Sequence, residues 1–335
     1  KGLRMKEILE KLLNKKNLER KEAFNVMLSI MSGEYGNAQI AGFLMALRAK
    51  GETIDEITGF AQAMREKMVK VSLDCSAIDM CGTGGDASGT FNISTTATFV
   101  VAGAGIHVAK HGNRSMTSKS GSADVLQALG IPINKTVQES IHDIEEVGLG
   151  FMFAPAYHPA MKYAVGARKS LAIRTVFNIL GPLCNPAGVK AQAMGIFDPD
   201  LTEIQANVLK ALGSMNVMVF NSSDGLDEIS TTGTTKISQM QNGGEVITFE
   251  FDAIELGLKK SILNDHRGSE PKENAKIIHS VLNGEKGPKR DIVLLNAAAG
   301  IVVGGKAKNL KEGLDKALES LDSGKALDIL KRLEK

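Results

Sequence analysis

The sequence pattern of this chain changes at Ala77. Before it, apolar residues recur at helical spacing, as at Ile40, Phe43, Leu44 and Leu47. After it, short apolar runs alternate with segments of helical pattern. Such alternation is typical of a mainly parallel sheet covered by helices. We therefore predict an α/β fold, with a small all-helical N-terminal domain followed by a larger α/β domain that contains a mainly parallel sheet.

The same pattern predicts where the elements and the domain boundaries lie. Thr53 and Glu56 fit a capping box at the start of a helix. A further helix is expected from about Ser94, and short strands are expected at 77–80, 106–109, 150–153, 193–197 and 217–220. Because residues 158–181 have a helical pattern again, we expect them to join residues 1–72 in the helical domain. Residues 73–157 and 182–335 then form the α/β domain.

Composition excludes several classes of protein. The chain has 335 residues, 43% of them hydrophobic, and its 40 Lys and Arg against 38 Asp and Glu give a net charge of +2. Neither this charge nor the absence of Trp favours binding to nucleic acid. Cys75, Cys81 and Cys184 are too few for a disulfide framework and match no zinc pattern. Since no apolar run approaches the roughly 20 residues of a membrane helix and none resembles a secretory signal, we expect a soluble cytoplasmic protein.

Glycine is concentrated where the first strand is expected to end. The chain has 35 glycines, and eight of them lie between Gly82 and Gly121. The segment from Gly82 to Ala87 fits the dinucleotide-binding pattern G-x-G-x-x-A, which also requires an acidic residue about 20 positions later. Position 102 is alanine, and no Asp or Glu occurs from Ala87 through Ala123. The nicotinamide interpretation is therefore excluded.

The acid-free window is suited to a polyanion. It contains Lys110, Arg114 and Lys119 together with many hydroxyl groups. Glycine amides and a helix N-terminus bind phosphate oxygens well, and ligands of open α/β sheets lie beyond the carboxyl ends of the strands. Residues 92–95 and 110–114 are therefore expected to line one phosphate-binding crevice. Two alternatives stay open at this point: Ser94 as a simple helix cap, and 110–114 as a solvated surface loop.

Several longer motifs resemble the anthranilate phosphoribosyltransferase family. They are GTGGD at 82–86, NIST at 92–95, KHGNR at 110–114, SKSGSADVLQALG at 118–130, RTVFNILGPLCNPA at 174–187 and DGLDE at 224–228. They occur in the order and spacing of the family, and the resemblance covers nearly the whole chain. It implies a nucleoside phosphorylase/phosphoribosyltransferase-like fold, an α/β domain that binds the phosphoribosyl group, and a homodimer formed through the helical domain.

The resemblance also implies a reaction and its site. The family transfers the phosphoribosyl group of PRPP to the amine of anthranilate, giving N-(5-phosphoribosyl)anthranilate and pyrophosphate, in tryptophan biosynthesis. The residues that it implies for PRPP are Gly82, Gly85, Asp86, Thr90, Asn92, Ile93, Ser94, Thr95, Lys110, His111, Gly112, Asn113, Arg114, Ser115, Met116, Thr117, Ser118 and Ser122. Those implied for anthranilate are Gly82, Asn113 and Arg168, and those implied for Mg²⁺ are Ser94, Asp227 and Glu228.

These residue types suit that chemistry. Asp227 and Glu228 are adjacent carboxylates of the kind that bind Mg²⁺, although alone they would equally fit an exposed acidic loop. Arg168 could hold a carboxylate as a planar fork, although alone it would be a surface arginine. Because an aryl amine is neutral at pH 7, we expect no covalent intermediate and no essential general base. His111 is the one candidate for an exception, and orientation of the loop is its alternative role.

The chain departs from the family pattern at one place, and two rival functions stay open. The family commonly has His-Gly before DGLDE, whereas this chain has Phe220 to Ser223 there, which puts the geometry of that loop in doubt. A pyrimidine nucleoside phosphorylase shares the expected architecture but lacks KHGNR. A non-catalytic homologue that binds nucleic acid is the rival from another class, and the near-neutral charge disfavours it.

Overall fold

The computed structural model describes residues 4–84, 88–115 and 119–334. The strands within these ranges are β1 (Ala77–Gly82), β2 (His107–Gly112), β3 (Leu149–Phe153), β4 (Ala191–Gly195), β5 (Asn216–Ser222), β6 (Thr235–Met240) and β7 (Ile247–Phe251). The helices are α1 (Met5–Leu13), α2 (Arg20–Met31), α3 (Asn37–Lys50), α4 (Ile54–Lys67), α5 (Ile93–Gly103), α6 (Ser122–Ala128), α7 (Val137–His142), α8 (Ala154–Tyr157), α9 (Lys162–Leu171), α10 (Phe177–Leu180), α11 (Leu201–Ala211), α12 (Pro271–Leu282), α13 (Pro288–Val303), α14 (Leu310–Asp322) and α15 (Lys325–Leu333). Short 3₁₀ turns lie at Pro159–Met161, Gly181–Leu183, Ala253–Leu256 and Leu263–His266, and a π-helical turn lies at Asp143–Val147.

The strands of the described ranges form one sheet, in the order β3-β2-β1-β4-β5-β6-β7. The pairs from β3 to β5 are parallel, and β6 and β7 add an antiparallel edge. The predicted fold class, a helical N-terminal part and a mainly parallel sheet, is confirmed. The sequence did not indicate β6 or β7, because β6 carries polar residues along both faces and most of β7 is exposed.

The helix α5 lies directly against the centre of the sheet. Its residues from Thr95 to Ala102 are all buried, and α13 packs beside it. A Cβ atom on Gly300 of α13 would lie 2.7 Å from the sulfur of Met80 in β1 and 2.7 Å from a methyl group of Val101. Glycine at this position therefore allows α13 to approach both β1 and α5 closely.

The strand order reverses direction at β1. The chain runs from β1 outward through β2 to β3, and then returns to β4 on the other side of β1. Crevices at such reversals, beyond the carboxyl ends of the strands, are the usual ligand sites of open α/β sheets. Gly82 ends β1, Gly112 ends β2 and Gly195 ends β4, so three glycines border this crevice.

The helices α1 to α4 share one apolar cluster with the segment that follows β3. Ala164 and Ala167 of α9 are fully buried in the cluster that contains Phe43 and Phe60 of α3 and α4, and α9 packs against α2 and α3. This packing agrees with a discontinuous helical domain, whose division into 1–72 with 158–181 and 73–157 with 182–335 stays a prediction. No helix in the described part of the chain is long and apolar enough to cross a membrane.

The predicted capping box at Thr53 is present, and its acid does more than cap the helix. The Thr53 amide donates to Glu56 Oε2 at 2.8 Å, and the Glu56 amide donates to the Thr53 hydroxyl at 3.3 Å. Glu56 is fully buried, and its other oxygen accepts from the amide of Leu18 at 2.8 Å. The ammonium of Lys50, which is 3% exposed, lies 2.9 Å from the same carboxylate. Glu56 therefore ties α3, α4 and the start of α2 together.

Replacing Glu56 by alanine should weaken the helical part strongly. The change leaves the buried ammonium of Lys50 without its counter-charge, which costs about 3–5 kcal/mol of the free energy of unfolding. Urea unfolding measures this loss. The matched control is Glu273→Ala, which removes an exposed ion pair with Lys276 and should cost less than about 1 kcal/mol. Equal losses in the two variants would contradict this role of Glu56.

Candidate active site

The carboxyl ends of β1 and β4 lie side by side and are crossed by Asp227. Gly82 and Gly195 are register partners in this strand pair. A Cβ atom on Gly195 would lie 1.7 Å from the backbone oxygen of Asp227, and one on Gly82 would lie 2.5 Å from its Oδ2. Position 195 must therefore be glycine for the Asp227 backbone to lie here, and glycine at position 82 leaves space for the Asp227 carboxylate. Gly82 was predicted as a site residue, whereas Gly195 was not, because its only local sign is a glycine at the end of a strand.

The two adjacent acids join segments that are far apart in the sequence. The amide of Gly84 donates to Asp227 Oδ2 at 2.8 Å, and the amide of Ser94 donates to Glu228 Oε1 at 3.1 Å. The glycine turn after β1, the N-terminus of α5 and the DGLDE segment thus meet in one network. The structure brings together Ser94, Asp227 and Glu228, the three residues that the resemblance implies for the metal.

The N-terminus of α5 is held by Asn92. Its side-chain amide donates to the Ser120 backbone oxygen at 3.0 Å, and its Oδ1 accepts from the hydroxyl of Ser120 at 3.1 Å and from the amide of Asn274 at 3.0 Å. The helix begins at Ile93 with Asn92 as its cap residue, so the alternative that Ser94 only caps the helix is wrong. Asn274 was not predicted, since it lies far away in α12.

The side chains of Ile93 and Thr95 point into the protein. They are 1% and 2% exposed, so these two side chains are not accessible to a ligand. Thr90 lies just before this segment and pairs as an isolated bridge with Arg267. Five predicted PRPP residues fall outside the described ranges: Gly85, Asp86, Met116, Thr117 and Ser118.

Lys110 and His111 are buried at the end of β2. The ammonium of Lys110 donates to the backbone oxygen of Met80 at 2.6 Å, and the amide of His111 donates to Asp79 Oδ1 at 3.3 Å. Burial raises the pKa of Asp79 to about 6, against the lowering effect of Lys110, and burial lowers the pKa of Lys110. The alternative that 110–114 is simply a solvated loop is therefore wrong for its first two residues.

The rest of this loop is anchored by Asp124. Its carboxylate accepts from the amides of Ser115 and Gly121 at 3.0 and 2.9 Å and pairs with the guanidinium of exposed Arg114 at 2.7 Å. Burial raises the pKa of Asp124, but these hydrogen bonds and Arg114 outweigh it, and the net shift is downward. Asp124 is the first acid after the acid-free window, a position that could have identified it. Close by, the hydroxyl of Ser122 donates to the Asn113 backbone oxygen at 3.2 Å.

His111 faces a second buried histidine, His158. The ring centroids are 5.0 Å apart. Burial lowers the pKa of His111 to about 3, with a further lowering from His158, and burial lowers the pKa of His158 to about 4. Both rings are therefore neutral at pH 7. Because a general base works best with a pKa near the working pH, so weak a base favours the orienting role for His111.

Arg168 lies on α9 against an aromatic ring. Its guanidinium carbon is 5.3 Å from the ring centroid of Phe177, and burial lowers its pKa. Within the described ranges, no carboxylate lies at ion-pair distance from it. The interpretation of Arg168 as an ordinary surface arginine is therefore not supported, since the side chain is half-buried and has no carboxylate partner in the part of the chain that the structure describes.

Arg174 connects the segment after α9 to the glycine turn. Its guanidinium carbon lies 4.1 Å from the ring centroid of Phe197, a stacking distance. The amide of Phe197 in turn donates to the hydroxyl of Thr83 at 3.0 Å. Neither Phe197 nor Thr83 was singled out from the sequence, because their contact depends on the pairing of β1 with β4.

The sequence of this chain is similar to proteins of known function. Residues 6–68 match the glycosyl transferase family, helical bundle domain, and residues 74–327 match the glycosyl transferase family, a/b domain. The anthranilate phosphoribosyltransferase of Acetivibrio thermocellus is 51% identical over 97% of this chain and 94% of that protein. The chain belongs to the anthranilate phosphoribosyltransferase family.

Solved structures of the anthranilate phosphoribosyltransferase family superpose on nearly the whole chain. The Thermus thermophilus enzyme is 40% identical, with a TM-score of 0.92 and 98% of each chain covered. The Saccharomyces cerevisiae enzyme in complex with PRPP and Mg is 30% identical, with a TM-score of 0.88, covering 98% of this chain and 96% of that one. The same yeast enzyme in complex with 4-fluoroanthranilate has a TM-score of 0.87 at 28% identity, with the same coverage. These findings support the anthranilate phosphoribosyltransferase function. They support neither a pyrimidine nucleoside phosphorylase nor a nucleic-acid-binding homologue.

The loop before DGLDE, where this chain departs from the family pattern, is held in place by hydrogen bonds. β5 runs through Ser222, and the side-chain amide of Asn221 donates to the Ile196 backbone oxygen at 2.7 Å. Asp224 then organises the turn, because it accepts from the amide of Leu226 at 3.1 Å and from the hydroxyl of Ser230 at 2.7 Å. These hydrogen bonds hold the loop that leads to Asp227 and Glu228.

The buried histidine pair predicts a pH dependence of stability. Because His111 and His158 stay neutral in the folded chain well below pH 6.5, these two side chains take up protons only in the unfolded chain as the pH falls from 7 to 5. Each histidine should remove about 2 kcal/mol from the free energy of unfolding over that interval. In urea unfolding, a His158→Gln variant should show a pH-dependent loss about 2 kcal/mol smaller than that of the unsubstituted chain. An equal loss in both proteins would be evidence against a neutral pair.

Proposed function

We propose that this chain transfers the phosphoribosyl group of PRPP to the amine of anthranilate, giving N-(5-phosphoribosyl)anthranilate and pyrophosphate, in tryptophan biosynthesis. The observation that carries the proposal is the network at the strand reversal, where Asp227 and Glu228 meet the glycine turn and the N-terminus of α5. Family membership supports it, and so do the yeast complexes with PRPP and with 4-fluoroanthranilate.

The pyrophosphate end of PRPP suits the crevice beyond β1 and β4. Breaking the bond between the ribose and the pyrophosphate places additional negative charge on the leaving group. Backbone amides of the glycine turn and of the first turn of α5 are dipoles that stabilise such charge. In this proposal Thr90, Ser94, Asn113 and Ser122 supply further hydrogen bonds to PRPP. In this proposal the protein accelerates the reaction mainly by electrostatic stabilisation of the leaving group.

The acid pair fits a magnesium ion. Asp227 and Glu228 offer hard oxygen ligands, and Ser94, whose backbone amide donates to Glu228, carries a hydroxyl group that is a third oxygen ligand in this proposal. Within the described residues no three side chains of His, Cys, Asp or Glu gather into a metal-binding group, so the other ligands would be water and phosphate oxygens, as Mg²⁺ prefers. We propose Ser94, Asp227 and Glu228 as the residues that hold it. Bound Mg²⁺ would neutralise charge on the pyrophosphate.

The anthranilate end is assigned to Asn113 and Arg168. A guanidinium without a protein counter-ion is suited to a carboxylate ligand, which it holds with two parallel hydrogen bonds. The amine of anthranilate is already neutral at pH 7 and needs no activation, which agrees with the low pKa of His111, about 3. The proposed mechanism is therefore direct displacement at the ribose carbon, with His111 as an orienting group.

A homodimer and a cytoplasmic location are part of the same proposal. Large apolar side chains stay exposed on helices that pack together in the helical part: Leu13, Met45, Ile54, Tyr163 and Val165. Exposed apolar side chains of this kind gain stability when a second copy covers them. The face formed by α1, α3, α4 and α9 is therefore the proposed dimer interface.

The reaction itself is the first test. With PRPP and Mg²⁺ present, the purified chain should convert anthranilate, which is measured as a decrease of its fluorescence. It should release one pyrophosphate for each anthranilate converted. Omission of PRPP should abolish both changes. Turnover of thymidine or uridine with phosphate, without any turnover of anthranilate, would instead identify a nucleoside phosphorylase.

Arg168→Ala should affect one substrate selectively. Loss of the charged hydrogen bonds to the anthranilate carboxylate should raise KM for anthranilate about 10-fold or more, while KM for PRPP changes by less than about 2-fold. The matched control is Lys169→Ala, an exposed cation next to it on α9, which should change neither KM value. Equal increases in both KM values for the Arg168 variant would contradict its assignment to anthranilate.

A further inference from the structure

Asn296 is a fully buried amide within an otherwise apolar stretch of α13. It is 1% exposed, and its neighbours Leu294, Leu295, Ala297 and Ala298 are all buried apolar residues. A buried amide is costly unless its hydrogen bonds are made. We therefore expect Asn296 to make specific hydrogen bonds that a leucine or an alanine could not make.

Asn296 forms two hydrogen bonds with the backbone of Ile229. The amide of Ile229 donates to Asn296 Oδ1 at 2.9 Å, and Asn296 Nδ2 donates back to the Ile229 oxygen at 2.9 Å. The second Nδ2 hydrogen is donated to the Ile292 oxygen in the preceding turn of α13, also at 2.9 Å. A side-chain amide carries its donor and its acceptor on separate atoms, so it can bond both backbone groups of one residue in this way.

The residue held in this way directly follows Glu228. Inside the loop, Asp224 ties Leu226 and Ser230 to itself. Those bonds shape the loop but do not place it on the sheet. Asn296 supplies a tie to another element, and α13 is itself placed against β1 by the close approach of Gly300 to Met80. The chain of contacts thus runs from the centre of the sheet to the residue beside the acid pair.

We propose that Asn296 is a positioning residue for the metal-binding carboxylates. By orienting the peptide of Ile229, it directs Glu228 toward the N-terminus of α5 and Asp227 toward the end of β1. This inference rests on the proposed function, since it concerns the residues assigned to Mg²⁺. Groups that orient metal ligands commonly change metal affinity by about 10–100-fold when they are removed.

The test compares Asn296→Ala with a stability-matched control. Val293→Ala removes buried methyl groups from the same helix and leaves the hydrogen bonds to Ile229 in place. Binding of Mn²⁺ in the presence of pyrophosphate is followed by electron paramagnetic resonance, and thermal unfolding is recorded for each protein. Asn296→Ala should weaken Mn²⁺ binding about 10-fold or more, whereas Val293→Ala should keep the affinity of the unsubstituted chain.

A loss of thermal stability in Asn296→Ala with unchanged Mn²⁺ affinity would overturn the proposal and leave a purely structural role. Because this measurement needs no turnover, it separates the inference from the proposed function. If the unsubstituted chain binds Mn²⁺ with pyrophosphate and Asn296→Ala does not, the inference holds even where anthranilate is not converted. If the unsubstituted chain itself binds no Mn²⁺ with pyrophosphate, the inference fails together with the metal site.

Discussion

The close approach of Asp227 to the ends of β1 and β4 is the constraint on which the rest of the site depends. Its backbone oxygen occupies the space where Gly195 would carry a Cβ atom, and its carboxylate occupies the corresponding space at Gly82. Because these two glycines are register partners, the acid pair can cross the sheet where the strand order reverses. The amides of Gly84 and Ser94 then hold the carboxylates. The space left by the two glycines thus allows the acid pair to lie here, and the electrostatics of the site depend on that position.

The parts of the fold that could be predicted are those that depend on local patterns. The apolar runs at β1 to β5, the helical spacing of the first 70 residues and the capping box at Thr53 are all present in the structure. β6 and β7 could not be found in this way, since a polar alternating strand and an exposed edge strand lack an apolar run. Their positions are decided by strand pairing, of β6 with β5 and of β7 with β6.

The site shows the same division between local motifs and distant contacts. The glycine turn, the KHGNR segment and the DGLDE segment each have a recognisable composition, so the sequence identified them. Gly195, Asn296 and Asn274 have no such motif, because each acts by contacting a segment far away in the chain. The role of Lys110 was also invisible, since composition reports a charge but not that the charge is buried against Met80.

The three cations of the acid-free window all have partners within the protein. Lys110 donates to a backbone oxygen, Arg114 pairs with Asp124, and exposed Lys119 lies 4.0 Å from Glu270. The window is therefore no bare cationic patch, and backbone amides carry more of the proposed phosphate binding than side-chain charge does. Two of those amides, from Gly84 and Ser94, already donate to Asp227 and Glu228. A polyanion would compete with these carboxylates for the same donors and would be repelled by them. A cation held by the acid pair reverses the sign of that interaction, which gives a physical reason for the proposed magnesium at this point of the fold.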